Sequence, residues 1–105
     1  MWNKEKVAEI VQQNKLVVFG KGNREQPQCG FTARAFTVLE MLGHPFEVVN
    51  IFDDENIRPS LVEYSQWPTT PQVFLNGEFL GGSDIVLEMF EKGELKKKAD
   101  EAFAS

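Results

Sequence analysis

A single cysteine, Cys29, is the one side chain here able to serve both as a strong nucleophile and as a soft metal ligand. It stands in Pro27-Gln28-Cys29-Gly30, a polar turn at the mouth of a helical run. A free thiol often packs as a small, inert hydrophobe. These neighbours favour a functional thiol instead, because a cysteine at a helix start faces unpaired N–H groups and the positive end of the dipole, which stabilise the thiolate. Lys21, across the preceding loop, adds positive charge. With no second cysteine, a Cys-x-x-Cys couple is excluded, and Thr32 holds the place of the resolving residue. A lone thiolate attacks a mixed disulfide or binds a soft metal. Protease chemistry needs a paired base, but the one histidine, His44, lies past the far end of the helix, roughly 20 Å away at about 1.5 Å per residue. His44 reads as a surface turn residue before Pro45.

Other residues leave two readings open. Thr69-Thr70-Pro71 precedes a strand. Its proline is either trans and opens an edge strand, or cis and turns the Thr70 backbone outward to pair with an extended, peptide-like ligand. Gly81-Gly82-Ser83-Asp84 is a glycine turn with Ser83 as helix cap. Alternatively its bare N–H groups hold a carboxylate while Asp84 holds an ammonium. Arg58 is a solvated helix residue or a ligand clamp, and Phe31 and Trp67 are core or contact residues. Lys96 to Lys98 reads as a solvated helix face.

The elements that must position these groups follow from periodicity. Val7, Ile10 and Val11 mark a first helix, and Leu16 to Phe19 a buried strand. Gly20 to Gln28 reads as a loop, then Ala35, Phe36, Leu39 and Leu42 mark a helix from about Gly30 to Leu42, stopped by Gly43. Phe46 to Asn50 is a second strand. Asn56 caps a helix carrying Pro59 in its first turn and running to about Ser65. Gln72 to Leu75, Asn76-Gly77 and Glu78 to Leu80 form a hairpin with a two-residue turn. Two helices follow, one from Ser83 ended by Gly93, one from Glu94 to about Ala102. The order α-β-α-β-α-β-β-α-α, with a right-handed crossover between the first two strands, predicts a mixed four-stranded sheet with helices on both faces: an α/β, thioredoxin-like plan.

Composition bounds the rest. The 105 residues, 42% hydrophobic and 26% charged, suit one domain spanning 1–105. A net charge of −5 argues against nucleic acid as a partner. One cysteine rules out an internal disulfide framework and a multi-thiolate zinc site. The longest apolar run, Leu16 to Phe19, is far below the ~18 residues of a membrane span, and Lys4, Glu5 and Lys6 break up any signal core. The expectation is a soluble intracellular domain with no membrane role.

Taken together the residues resemble one family. Lys21-Gly22 followed by Pro27-Gln28-Cys29-Gly30-Phe31-Thr32 resembles the KG…P-x-CGFS signature of monothiol glutaredoxins. The run Glu63 to Gln72 (EYSQWPTTPQ) resembles their EYSNWPT-x-PQ block, and Asn76 to Ile85 (NGEFLGGSDI) their NGEF-x-GGSDI block. The resemblance covers about Val7 to Leu95, with the blocks in the family's order.

That resemblance implies a thioredoxin-like fold and a glutathione site. It makes Cys29 the thiolate that ligates iron or attacks a glutathione mixed disulfide. Lys21 and Arg58 would hold the glycine carboxylate of glutathione. Pro71 would be cis and present the Thr70 backbone to the cysteinyl group, Gly82, Ser83 and Asp84 would hold the γ-glutamyl end, and Phe31 would lie beside the thiol. Members of this type bind a 2Fe–2S cluster between two protomers, each contributing one cysteine and one bound glutathione, which suits a one-cysteine chain. The implied protein is a homodimer with cluster and a monomer without. It would deliver clusters to iron–sulfur acceptor proteins, pair with a BolA-like protein, and act at most weakly as a glutathione-dependent oxidoreductase. The implied setting is a bacterial cytoplasm or an organelle interior. Three positions depart from the pattern: Thr32 replaces Ser and adds a methyl beside the thiol, Thr70 replaces an apolar residue, and Gly20 replaces a bulkier one. The last is expected to leave the Lys21 loop more mobile.

Overall fold

The computed structural model describes residues 1–105. Asn3 starts helix α1 (Lys4–Gln13), its side-chain oxygen accepting the Lys6 N–H at 2.8 Å. Strand β1 (Leu16–Gly20) is buried throughout, as befits a strand covered on both faces. Helix α2 (Gly30–Met41) follows the loop that carries Lys21, and strand β2 (Glu47–Asn50) returns parallel to β1. A 3-10 turn (Ile51–Asp53) leads to helix α3 (Ile57–Ser65). The hairpin β3 (Gln72–Leu75) and β4 (Glu78–Gly81) is antiparallel. Helices α4 (Ser83–Glu91) and α5 (Glu94–Ala104) close the chain.

The sheet order is β2-β1-β3-β4, with β1 parallel to β2 and antiparallel to β3. Strand alternation divides the core in two. Leu16, Val18, Val73 and Leu75 pack with Phe36, Leu39, Val86 and Leu95 in the layer of α2, α4 and α5. Val17, Phe19 and Phe74 pack with Val7, Val11, Ile57 and Leu61 in the layer of α1 and α3. This is the thioredoxin-like α/β arrangement anticipated from the element order. No helix is long and apolar enough to cross a membrane.

The hairpin turn has the backbone its residues demand: Asn76 and Gly77 both take positive φ, 52° and 84°, as a two-residue type I′ turn requires. Several local expectations are corrected. Gly20 is the last residue of β1, paired with Asn50, and not part of the loop. Phe46 lies outside β2, which starts at Glu47. Ser83 is the first helical residue of α4 and Gly82 the cap, so no hydroxyl closes that end. Asn56 is the N-cap of α3, as expected, with Pro59 in the first turn, but its side chain makes no capping bond; the Asp54 carboxylate accepts the Asn56 N–H at 2.8 Å and shapes the entry to the helix. His44 does sit in the turn before Pro45 and is partly exposed, but it is not without partners. Its ring stacks on Phe103 with centroids 4.3 Å apart, and Nε2 lies 2.7 Å from Asp100 Oδ1.

Candidate functional site

Cys29 occupies the N-cap of α2 with an extended backbone (φ −154°, ψ 136°), and its carbonyl accepts the Ala33 N–H at 2.9 Å. The half-buried sulfur closes no capping bond, which leaves the first-turn N–H groups to the anion. The thiol pKa is lowered from that of an ordinary cysteine. The backbone N–H of Thr32 contributes most, desolvation opposes it, and the Phe31 N–H, the Thr32 hydroxyl and the Lys21 charge add to the lowering in falling order. At this helix start, peptide N–H groups therefore outweigh the lysine.

Glycines shape the approaches. Gly30, next to the thiol, is exposed, and a β-carbon there would meet nothing within 4 Å. Gly22 is the opposite case. It takes φ +96°, and a β-carbon would stand 2.5 Å from the Gln26 carbonyl oxygen and 2.7 Å from the Gln28 nitrogen. The loop between them folds back on itself: the Gln28 N–H donates to the Lys21 carbonyl at 2.8 Å, and Gly22 bridges to Pro27. Asn50 Oδ1 accepts the Gly22 N–H at 3.0 Å and the Phe52 N–H at 2.9 Å. Hydrogen bonds thus hold the Lys21 segment at both ends.

A cleft of about 450 Å³ lies beside this turn, lined by Phe31, Trp67, Thr69, Thr70, Pro71, Gly82, Ser83, Asp84 and Ile85. The Thr70–Pro71 peptide is cis, which decides between the two readings of that proline. No intrachain hydrogen bond ties the Thr70 N–H or C=O. At the cleft's other wall, the first-turn N–H groups of α4 have no intrahelical acceptors, and only from Val86, which donates to the Gly82 carbonyl at 3.1 Å, does the helical pattern begin. Phe31, Trp67 and Ile85 give the cleft an exposed apolar rim.

Six of the nine residues singled out from sequence, Phe31, Thr70, Pro71, Gly82, Ser83 and Asp84, therefore meet in one cleft. Cys29 and Lys21 belong to the adjoining turn. Arg58 stands outside the lining and donates to the Pro68 carbonyl at 3.1 Å, on the segment leading to Pro71. Two contributors escaped the sequence. Arg34 pairs with Asp84 at 3.1 Å, five decades of residues along the chain, so the carboxylate already has a cationic neighbour. Gln72, fully buried, donates from Nε2 to the Trp67 and Thr69 carbonyls at 3.0 Å each and so braces the segment before Pro71. A PQ pair after the threonines was the only sequence signal for it.

Comparison with known proteins agrees with this geometry. The glutaredoxin family pattern matches residues 16–80. An uncharacterized monothiol glutaredoxin of the cyanobacterium Synechocystis is 47% identical over 102 residues, covering 97% of this chain and 95% of that protein. The solution structure of reduced apo GrxS14 from poplar superposes with a TM-score of 0.83 at 43% identity, over 97% of this chain and 94% of that one. A buckwheat glutaredoxin solved as its glutathione complex superposes with a TM-score of 0.84 at 28% identity, over 96% and 90%. The chain belongs to the glutaredoxin family as a monothiol member.

Proposed function

We propose that this protein binds glutathione in the cleft beside Cys29 and carries a 2Fe–2S cluster as cargo between two copies of the chain, for delivery to iron–sulfur acceptor proteins. The observation that carries the reading is one thiolate-favouring cysteine on the turn beside a cleft of about 450 Å³. In this reading Lys21 and Arg58 hold the glycine carboxylate. The Thr70 backbone pairs with the cysteinyl unit over Pro71, and Phe31 covers it. The α4 N–H groups of Gly82, Ser83 and Asp84, with the Asp84 carboxylate, take the γ-glutamyl end.

The donor chemistry fits such cargo. A cluster of this kind takes soft sulfur ligands, and the chain offers one thiolate and no convergence of three or more His, Cys, Asp or Glu side chains. Two chains and two glutathione thiols supply four sulfurs, and the rim of Phe31, Trp67 and Ile85 gives a second copy or a BolA-like partner an apolar surface to cover. The setting is an aqueous compartment supplied with glutathione, a bacterial cytoplasm or an organelle interior.

Anaerobic reconstitution with iron, sulfide and glutathione is expected to yield a coloured dimer, read by absorption, iron count and size. Omitting glutathione or introducing Cys29→Ser should abolish it. A colourless monomer from the unaltered protein defeats the proposal.

The lowered thiol pKa favours a second, weaker activity. The Cys29 thiolate attacks the glutathione sulfur of a protein–glutathione disulfide, releases the protein thiolate and becomes glutathionylated. A second glutathione then attacks that disulfide, leaving oxidised glutathione and free Cys29. Rapid turnover of a small glutathionylated substrate without cluster formation would put this activity first.

A further inference from the structure

Strand alternation turns Leu16, Val18 and Gly20 of β1 toward the layer of α2, and the first two belong to that core. The third lies where the first turn of α2 meets the end of the strand. A β-carbon at Gly20 would stand 2.8 Å from the Thr32 methyl carbon and 3.2 Å from Thr32 Oγ1. Gly20 is not among the residues with positive φ, so the requirement there is for space and not for an unusual backbone. Thr32 is wholly buried, and its hydroxyl accepts the Lys21 N–H at 3.2 Å. With the methyl seated over Gly20 and the hydroxyl held by Lys21, both substituents of a β-branched side chain are committed, which fixes its rotamer. One side chain therefore ties the end of β1, the start of the Lys21 loop and the helical turn that carries the thiol.

We propose that Gly20 and Thr32 act as one size-matched pair that sets how deeply the first turn of α2 seats on the end of β1, making Thr32 a positioning residue for the Cys29 sulfur and the Lys21 amide. Overfilling the contact at position 20 lifts that turn, because a close-packed neighbour yields only by moving. Moving the methyl from position 32 to position 20 refills the same space. The inference rests on the glutathione reading for only one of its three readouts.

The test compares Gly20→Ala, Thr32→Ser, the double variant and Thr32→Val. Urea midpoint, the ¹H–¹⁵N resonance of the Lys21 amide and glutathione affinity by calorimetry are measured on each. Gly20→Ala is expected to lower the midpoint and to weaken glutathione about tenfold through displacement of the thiol-bearing turn. Thr32→Ser, which leaves a methyl-sized gap, should weaken it about two- to threefold. The double variant should return to within about twofold of the original, a non-additivity that independent sites do not show. A double variant no better than Gly20→Ala overturns the proposal. Thr32→Val keeps the shape and drops the hydroxyl, so the Lys21 amide should move upfield; an unmoved amide overturns the positioning role. If Gly20→Ala fails to fold, a folded double variant with an unshifted Lys21 amide supports the pair, and an unfolded one overturns it. Should the unaltered protein not bind glutathione, the functional reading falls while midpoint and amide still decide this one.

Discussion

At Cys29 the Thr32 and Phe31 N–H dipoles act at short range, whereas the Lys21 charge acts last and least. Because the thiol pKa is lowered in the folded state, alkylation followed against pH should give a midpoint below that of free cysteine. Lys21→Ala should raise that midpoint only slightly, while weakening glutathione binding more plainly through loss of the carboxylate contact proposed for Lys21. A large upward move in this variant would reverse the ranking of causes. The linkage has a definite sign. A depressed folded-state pKa contributes stability that is full above the unfolded-state value and is lost as pH falls through the folded one. At this scale the thiol's surroundings were legible from sequence, since a helix start dictates where N–H groups point. The Arg34–Asp84 pair was not, because nothing local relates a residue in α2 to one in α4.

Among the elements, the hairpin was the plainest to read, since Asn76-Gly77 suits the two positive φ values that a tight antiparallel turn imposes. Helix caps were misplaced by a residue or lacked their side-chain bond: at Asn56 the Asp54 carboxylate takes the N–H instead, while the start of α4 at Gly82 is left without any side-chain cap. The 3-10 turn after β2 carries no periodicity of its own and was missed. The turn after α2 is fastened to α5 through His44, Asp100 and Lys96, with Lys96 Nζ 2.9 Å from Asp100 Oδ1. The His44 hydrogen bond first, then Lys96, holds the Asp100 carboxyl below the usual carboxylate range. Its contribution is therefore present above the unfolded carboxylate value and lost as pH falls through the folded one. Asp100→Asn should show a flatter acid limb when urea midpoints are plotted against pH. Limbs that run parallel would remove Asp100 from the acid response. The effect is modest, since the carboxylate is solvent-exposed and screened.

Over the whole molecule, two apolar layers share one sheet, and α2 links the larger layer to the thiol. Leu39, wholly buried in that layer, tests how far the helix depends on it. Leu39→Ala should cost about 2–5 kcal/mol in urea unfolding, the usual range for a buried leucine truncated in a packed core. A cost below about 1 kcal/mol would mean that the layer collapses around the gap. Layer membership was readable because buried positions recur with strand and helix periods. The closeness of Gly20 to Thr32 was not, since it depends on how far one layer settles onto the other.

Gly30 carries a consequence of its own. An added methyl there touches nothing of the chain, the φ is not positive, and replacing glycine by alanine at a compatible backbone position stabilises by about 0.4–1 kcal/mol through the lower entropy of the unfolded chain. Gly30→Ala should therefore hold or raise the urea midpoint. A drop in glutathione affinity or iron loading in that sturdy variant would trace the outline of whatever arrives at the sulfur, a footprint left by a visitor on an otherwise undisturbed host.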